Sequence, residues 1–133
     1  MLDNGLSTVP SSFSFDDTIS RFEAALQAKG VTLFAKIDHS AGAVEAGMTL
    51  RPTFLLIFGA PRMGTPLMQA NQTIGIDLPQ KALVWQDAEG KVWLTFNDPA
   101  WLAVRHRLGD AAAETVAALE NNLATLVRGV TTG

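Results

Sequence analysis

Cysteine is absent from the 133 residues. That excludes disulfides, thiolate metal sites and a cysteine nucleophile. Charge is scarce: only 17% of the residues carry it, and the net value is −3. No run of Lys and Arg occurs, so a grip on nucleic acid, which neutralises phosphates with clustered cations, is not expected. No apolar run reaches the roughly 18 residues of a membrane span. The start, MLDNGLSTVPS, lacks the basic and apolar regions of a signal peptide, which points to the cytoplasm. A periplasmic or secreted location follows instead if Met1 stands where a signal peptide was removed. G-x-S-x-G is missing, and with it the usual frame of a serine nucleophile. No cofactor is expected.

What is present is apolar. Hydrophobic residues make up 47% of a chain whose length suits one domain, here taken as residues 1–133. With so little charge, one small domain hides its apolar surface with difficulty, so a homodimer is expected.

The pattern along the chain is β-α-β-α-β-α-β-β-α-α. Leu6–Val9 reads as a short edge strand. Ser14, three residues before Asp17, opens a helix over about 15–29, with Ile19, Phe22 and Leu26 on one face and Gly30 as its stop. VTLFAKID reads as a strand, HSAGAVEAG as a two-turn helix, and PTFLLIFG as a central strand buried on both faces. Thr65 and Pro66 suit the N-cap and first position of a further helix. QTIGIDLPQ reads as irregular or a brief strand. KALVWQD and KVWLTFN flank Asp87-Ala88-Glu89-Gly90, a type I turn with a glycine bulge. Asp98-Pro99 starts a helix to about Arg107, and Asp110 caps a last one over about 111–128 that Gly129 ends. Helices between the early strands predict parallel pairing there, with the hairpin adding an antiparallel part. The expected class is α+β: one domain, a mixed sheet and helices packed on it.

The order of landmarks between residues 5 and 108 is distinctive: F-A-x-I-D-H, G-x-x-L-R-P-T, a G-x-P turn, I-D-L-P-x-K-x-L-V-W and N-D-P. In this order the chain resembles the DUF302 family. The resemblance implies a small α+β fold, commonly dimeric, and no particular reaction; it also implies export for many similar proteins. Two positions depart from the family pattern. Its Gly-Asn-Pro turn is here Gly59-Ala60-Pro61, which removes an amide. A cysteine found after the Leu-Pro landmark in one branch is here Gln80, so no thiol-based role carries over.

Several residues could carry chemistry. Asp38 and His39 are adjacent where a strand gives way to a helix, so Asp38 suits an N-cap and His39 a neutral base or ligand. Arg51 could clamp an anion, or pair with Asp38, Glu45 or Asp77. Gly59, Arg62, Gly64 and Thr65 lie in GAPRMGTP, between a buried strand and a helix start, where backbone amides can hold an anion. The spacing there is neither G-x-x-x-x-G-K-[ST] nor G-x-G-x-x-G. His39 and His106 with Asp77 or Asp98 would form a metal site only if the fold joined them. Trp85, Trp93, Phe96 and Trp101 belong to the core, or to a dimer interface or ligand wall where a face stays open. Met63 and Met68 flank the glycine-rich loop and could line the same pocket.

The functional expectation is a homodimeric domain that binds a small molecule or anion, or serves in interaction. The alternatives are a small hydrolase or isomerase using His39 or His106 with Asp38 or Asp77, and an anion- or metal-binding protein.

Overall fold

The computed structural model describes residues 4–133. Among these, five strands form one sheet: β1 (Leu6–Pro10), β2 (Thr32–Asp38), β3 (Thr53–Gly59), β4 (Gln80–Gln86) and β5 (Val92–Asn97). The helices are α1 (Phe15–Ala28), α2 (His39–Glu45), α3 (Pro61–Ala70), α4 (Pro99–Arg105) and α5 (Ala113–Thr131), with a 3₁₀ segment at Gln72–Asp77.

The sheet order is β1-β5-β4-β3-β2 and every pairing is antiparallel. The class is α+β as expected, but the parallel pairing of the early strands does not occur. The reason lies in the connections. β1 and β2 run in the same direction, yet α1 carries the chain to the opposite edge. The α3 and 3₁₀ segment does not cross the sheet; it returns to the end it left, so Gln80 pairs with Phe58. α2 is too short to recross the strands, and β2 and β3 become antiparallel neighbours.

Local signals explain most boundaries. Ser14 Oγ accepts from Asp17 N–H at 3.1 Å, and Asp16 and Asp17 occupy the favourable positive end of α1. At its other end Gly30 adopts φ 67°, and Val31 N–H reaches back to Leu26 O at 3.0 Å. The 87–90 turn forms as expected. Gly90 N–H bonds Asp87 O at 3.0 Å, and Asp87 Oδ1 accepts from Glu89 and Lys91 at 3.0 and 2.9 Å.

Three expectations are corrected. Thr65 is not an N-cap: α3 already starts at Pro61, and Pro66 lies inside it. Proline at the first helical position loses nothing by lacking an N–H, so the earlier proline wins. Asp110 does not cap α5, whose N-cap is Ala112; the helix continues past Gly129 to Thr131. QTIGID, read as irregular or a brief strand, forms a 3₁₀ turn.

One core lies between the sheet and helices α1 and α5. Ile19, Phe22 and Leu26 meet Leu56, Phe58, Val84 and Leu94, with the Phe22 and Phe58 rings edge to face at 5.2 Å. A second joins α3, the 3₁₀ segment, α4 and the first half of α5 through Leu67, Ile74, Leu102, Val116 and Leu119. α5 belongs to both cores. Arg21 fastens its C-terminal end to α1, donating to Val130 O and Gly129 O at 3.0 Å each. A cation is well placed at that negative helix end.

Candidate functional site

Where the end of β3, α3 and α5 meet, the structure leaves a cavity of about 500 Å³. Its walls are mostly apolar. Leu26 and Phe58 come from the first core, Met63 and Met68 from α3, and Leu119 and Leu123 from α5. Gly59, Gly64 and Thr65 also line it, so the loop singled out in the sequence does meet a pocket. Lys29, Thr65 and Asn122 are wall residues exposed to solvent, which places them at the rim. Gln80 adds a half-buried amide. The glycines keep the space open. A Cβ at Gly64 would stand 3.7 Å from Leu78 Cδ1, and one at Gly59 3.6 Å from Pro79 Cβ.

The anion cradle expected in this loop is not built. With α3 starting at Pro61, the N–H groups of Met63 and Gly64 both donate to Ala60 O, at 2.9 and 3.1 Å. Pro61 has none, which leaves Arg62 N–H in the first turn. The Arg62 side chain is exposed and is not a wall of the cavity.

The other sequence candidates are scattered. Asp38 caps α2 as expected, its Oδ1 accepting from Ala41 N–H at 3.0 Å. His39 is exposed on the first turn of that helix. Arg51 is exposed and forms no ion pair with Asp38, Glu45 or Asp77; its carbonyl accepts from Thr53 Oγ1 at 2.8 Å. Among the described residues no group of three or more His, Cys, Asp or Glu could hold a metal ion, so the two histidines and a carboxylate do not converge.

His106 does meet a carboxylate. It is buried at the C-terminal cap of α4, with Nε2 2.6 Å from Asp77 Oδ2 and Nδ1 2.9 Å from Thr73 Oγ1. Arg105 donates to both oxygens of Asp77, at 3.1 and 2.9 Å. Asn71 donates to His106 O at 2.7 Å and accepts from Thr73 N–H at 3.1 Å. Both protonation states of the ring are satisfied here. A neutral ring donates from Nε2 and accepts from the Thr73 hydroxyl; a charged ring donates to Thr73, which then donates to Asn71 Oδ1. The acid–base pair foreseen for a hydrolase therefore exists in outline. Yet both ring nitrogens are occupied by protein, and neither His106 nor Asp77 lines the cavity between β3, α3 and α5. The cluster ties the 3₁₀ segment to the end of α4.

Among the described residues, two carboxyl groups have displaced acidity. Hydrogen bonds from the Trp93 indole and the Lys91 amide hold Asp87 below the ordinary carboxylate range. Burial, and then the neighbouring Asp98 carboxylate, push Glu120 up.

This arrangement defines a small α+β domain with an apolar pocket between its sheet and helices. The chain belongs to the DUF302 family, described as a domain of unknown function, whose pattern matches residues 7–126. Curated relatives from Brucella match almost the whole chain. The protein named fluoride-specific ion channel FluC 1 in Brucella suis biovar 1 (strain 1330) is 49% identical over 128 residues, 96% of this chain and 50% of its own length. The FluC 1 of Brucella abortus biovar 1 (strain 9-941) is equally similar, with 47% of its length covered. The chain thus spans about half the length of these relatives. A crystal structure of an uncharacterized conserved DUF302 protein from Bacillus stearothermophilus superposes with a TM-score of 0.84 at 23% identity, covering 96% of this chain and 98% of the other. That likeness shows the fold.

Proposed function

We propose that the chain is a ligand-binding domain, acting as a homodimer, that takes an apolar small molecule with one polar end. The observation that carries this reading is the cavity of about 500 Å³, within the range of small-molecule sites. Its body offers few polar partners, so the ligand's bulk is hydrocarbon or aromatic. Its rim offers the ammonium of Lys29 and the amide of Asn122, which suit a carboxylate or hydroxyl end. Titration with dodecanoate and with dodecanol, followed by calorimetry, tests it. Saturable one-to-one binding of either supports the reading; no heat and no thermal stabilisation with both overturns it.

The Brucella relatives are named as ion channels, and conduction needs a membrane-spanning part. Among the described residues no helix is long and apolar enough to cross a membrane. We infer that the conducting part of those relatives lies in the half this chain does not match, and that the matching half is an appended ligand-sensing domain.

A further inference from the structure

The floor of the cavity is the end of the sheet, and one residue there breaks the pattern of its row. Residues directly opposite on paired antiparallel strands share a face. Along β3 and β4 the pairs Phe54–Val84, Leu56–Ala82 and Phe58–Gln80 therefore turn to the same side. The apolar members of this row all belong to the first core or pack against it, and Leu56, Ala82 and Val84 are wholly buried. The remaining member is a carboxamide. A strand face covered by helices calls for an apolar side chain at that position. Gln80 stands there instead, half-buried, where the row runs out into the cavity.

Its amide is also unspent. Other amides are tied within the chain: Gln86, at the far end of β4, donates to Gly90 O at 3.0 Å, and Asn71 donates to His106 O at 2.7 Å. The Gln80 side chain has no hydrogen-bond partner among the described residues. No polar side-chain atom among them is sealed from solvent without a partner, so this amide is open to the space beside it. That space is the apolar cavity of about 500 Å³. Two N–H donors and a carbonyl acceptor stand ready on its floor.

We propose that Gln80 determines the cavity's specificity, and that the ligand carries a hydroxyl group within its apolar body, besides the end held at the rim. The inference rests on the ligand reading given above and names the ligand's class. A hydrocarbon body lying over Gln80 strips water from the amide and returns no hydrogen bond, which penalises binding. A hydroxyl both donates and accepts, so it satisfies either side of the amide. A site built in this way rejects the analogue that lacks the hydroxyl. Charge sorts the two ends of the ligand. Lys29, at the rim, is the one charged residue among the described walls, so an anionic end belongs there and a neutral group belongs over Gln80. Hydroxylated fatty acids are the simplest members of this class.

Calorimetry of the full chain tests it, with dodecanoate and with dodecanoates hydroxylated at the middle or at the end of the chain. At least one hydroxylated probe is expected to bind wild type about tenfold tighter than dodecanoate, the worth of one well-placed hydrogen bond. Gln80→Leu should bring the two affinities within a factor of about two, while binding dodecanoate at least as tightly as wild type does. Gln80→Met, which keeps the unbranched shape, is the second variant, should the first fail to fold. The ratio is read within each variant, so a general loss of affinity does not imitate the effect. Dodecanoate bound with no gain from any hydroxyl, or a gain that survives the substitution, overturns the role of Gln80 alone. No binding of any probe overturns the ligand reading and this inference together.

Discussion

His106 Nε2 stands 2.6 Å from Asp77 Oδ2, across a sequence separation that no local pattern would bridge. The pair joins α4 to the 3₁₀ segment, and Thr73 closes the other side of the ring. His106→Ala should therefore act on stability: it removes two hydrogen bonds and packing from a buried site, a loss of about 2–3 kcal/mol in chemical unfolding. Dodecanoate binding by the folded variant should stay within a factor of about two. A variant as stable as wild type would show that the cluster has no structural role.

Gly64 keeps the cavity open from within α3. Gly64→Ala adds a methyl group at ordinary contact distance from Leu78 and improves helix propensity, so it should stabilise by about 0.5–1 kcal/mol. Gly64→Leu should fill the space and weaken dodecanoate binding at least tenfold in calorimetry. Unchanged affinity would place the ligand elsewhere.

Glu120 sits beside Asp98, the N-cap of α4, which accepts from Ala100 N–H at 3.0 Å. Burial and that carboxylate raise Glu120 above its ordinary 4.5 in the folded chain. A group that holds its proton more tightly when folded contributes stability at low pH. The contribution is lost as pH climbs from about 4.5 through the raised value. Glu120→Gln should accordingly raise the melting temperature at pH 7.5 and flatten the profile between pH 4.5 and 7.5. Equal shifts at both ends of that interval would contradict the assignment.

Arg107 occupies φ 52°, where a side chain crowds its own backbone, while Leu108 N–H closes the helix end on Ala103 O at 3.0 Å. Arg107→Gly should remove that strain and stabilise by about 1 kcal/mol in thermal unfolding. Destabilisation would mean that the arginine side chain holds the turn.

Short-range features were legible in the sequence because a few neighbouring atoms decide them. Ser14 capping α1, Asp38 capping α2 and the Asp87–Gly90 turn all depend on groups within four residues. The Thr65 cap failed against an equally local competitor, Pro61, four residues earlier. Pairing direction was not legible, because it depends on whether α3 recrosses the sheet or returns to its end, and that is settled by packing on α5. The aromatic group divided for the same reason: Phe96 faces the first core, Trp101 packs in the second, and Trp85 and Trp93 stack on each other outside both cores. Of the candidate site, Gly59, Gly64 and Thr65 reach the cavity, whereas Asp38, His39, Arg51, Arg62 and Asp77 do not line it. Its walls come from α1, β3, α3, α5 and the chain between them, and no stretch of sequence carries that convergence.

The methionines provide the most direct test of the ligand reading. Met63 and Met68 line the cavity, while Met48 is 66% exposed and is not among its walls. In methyl-labelled methionine spectra titrated with dodecanoate, the Met63 and Met68 signals should move together and saturate, with Met48 unmoved. Signals that stay in place, or a drift shared equally by Met48, would contradict a ligand in this cavity.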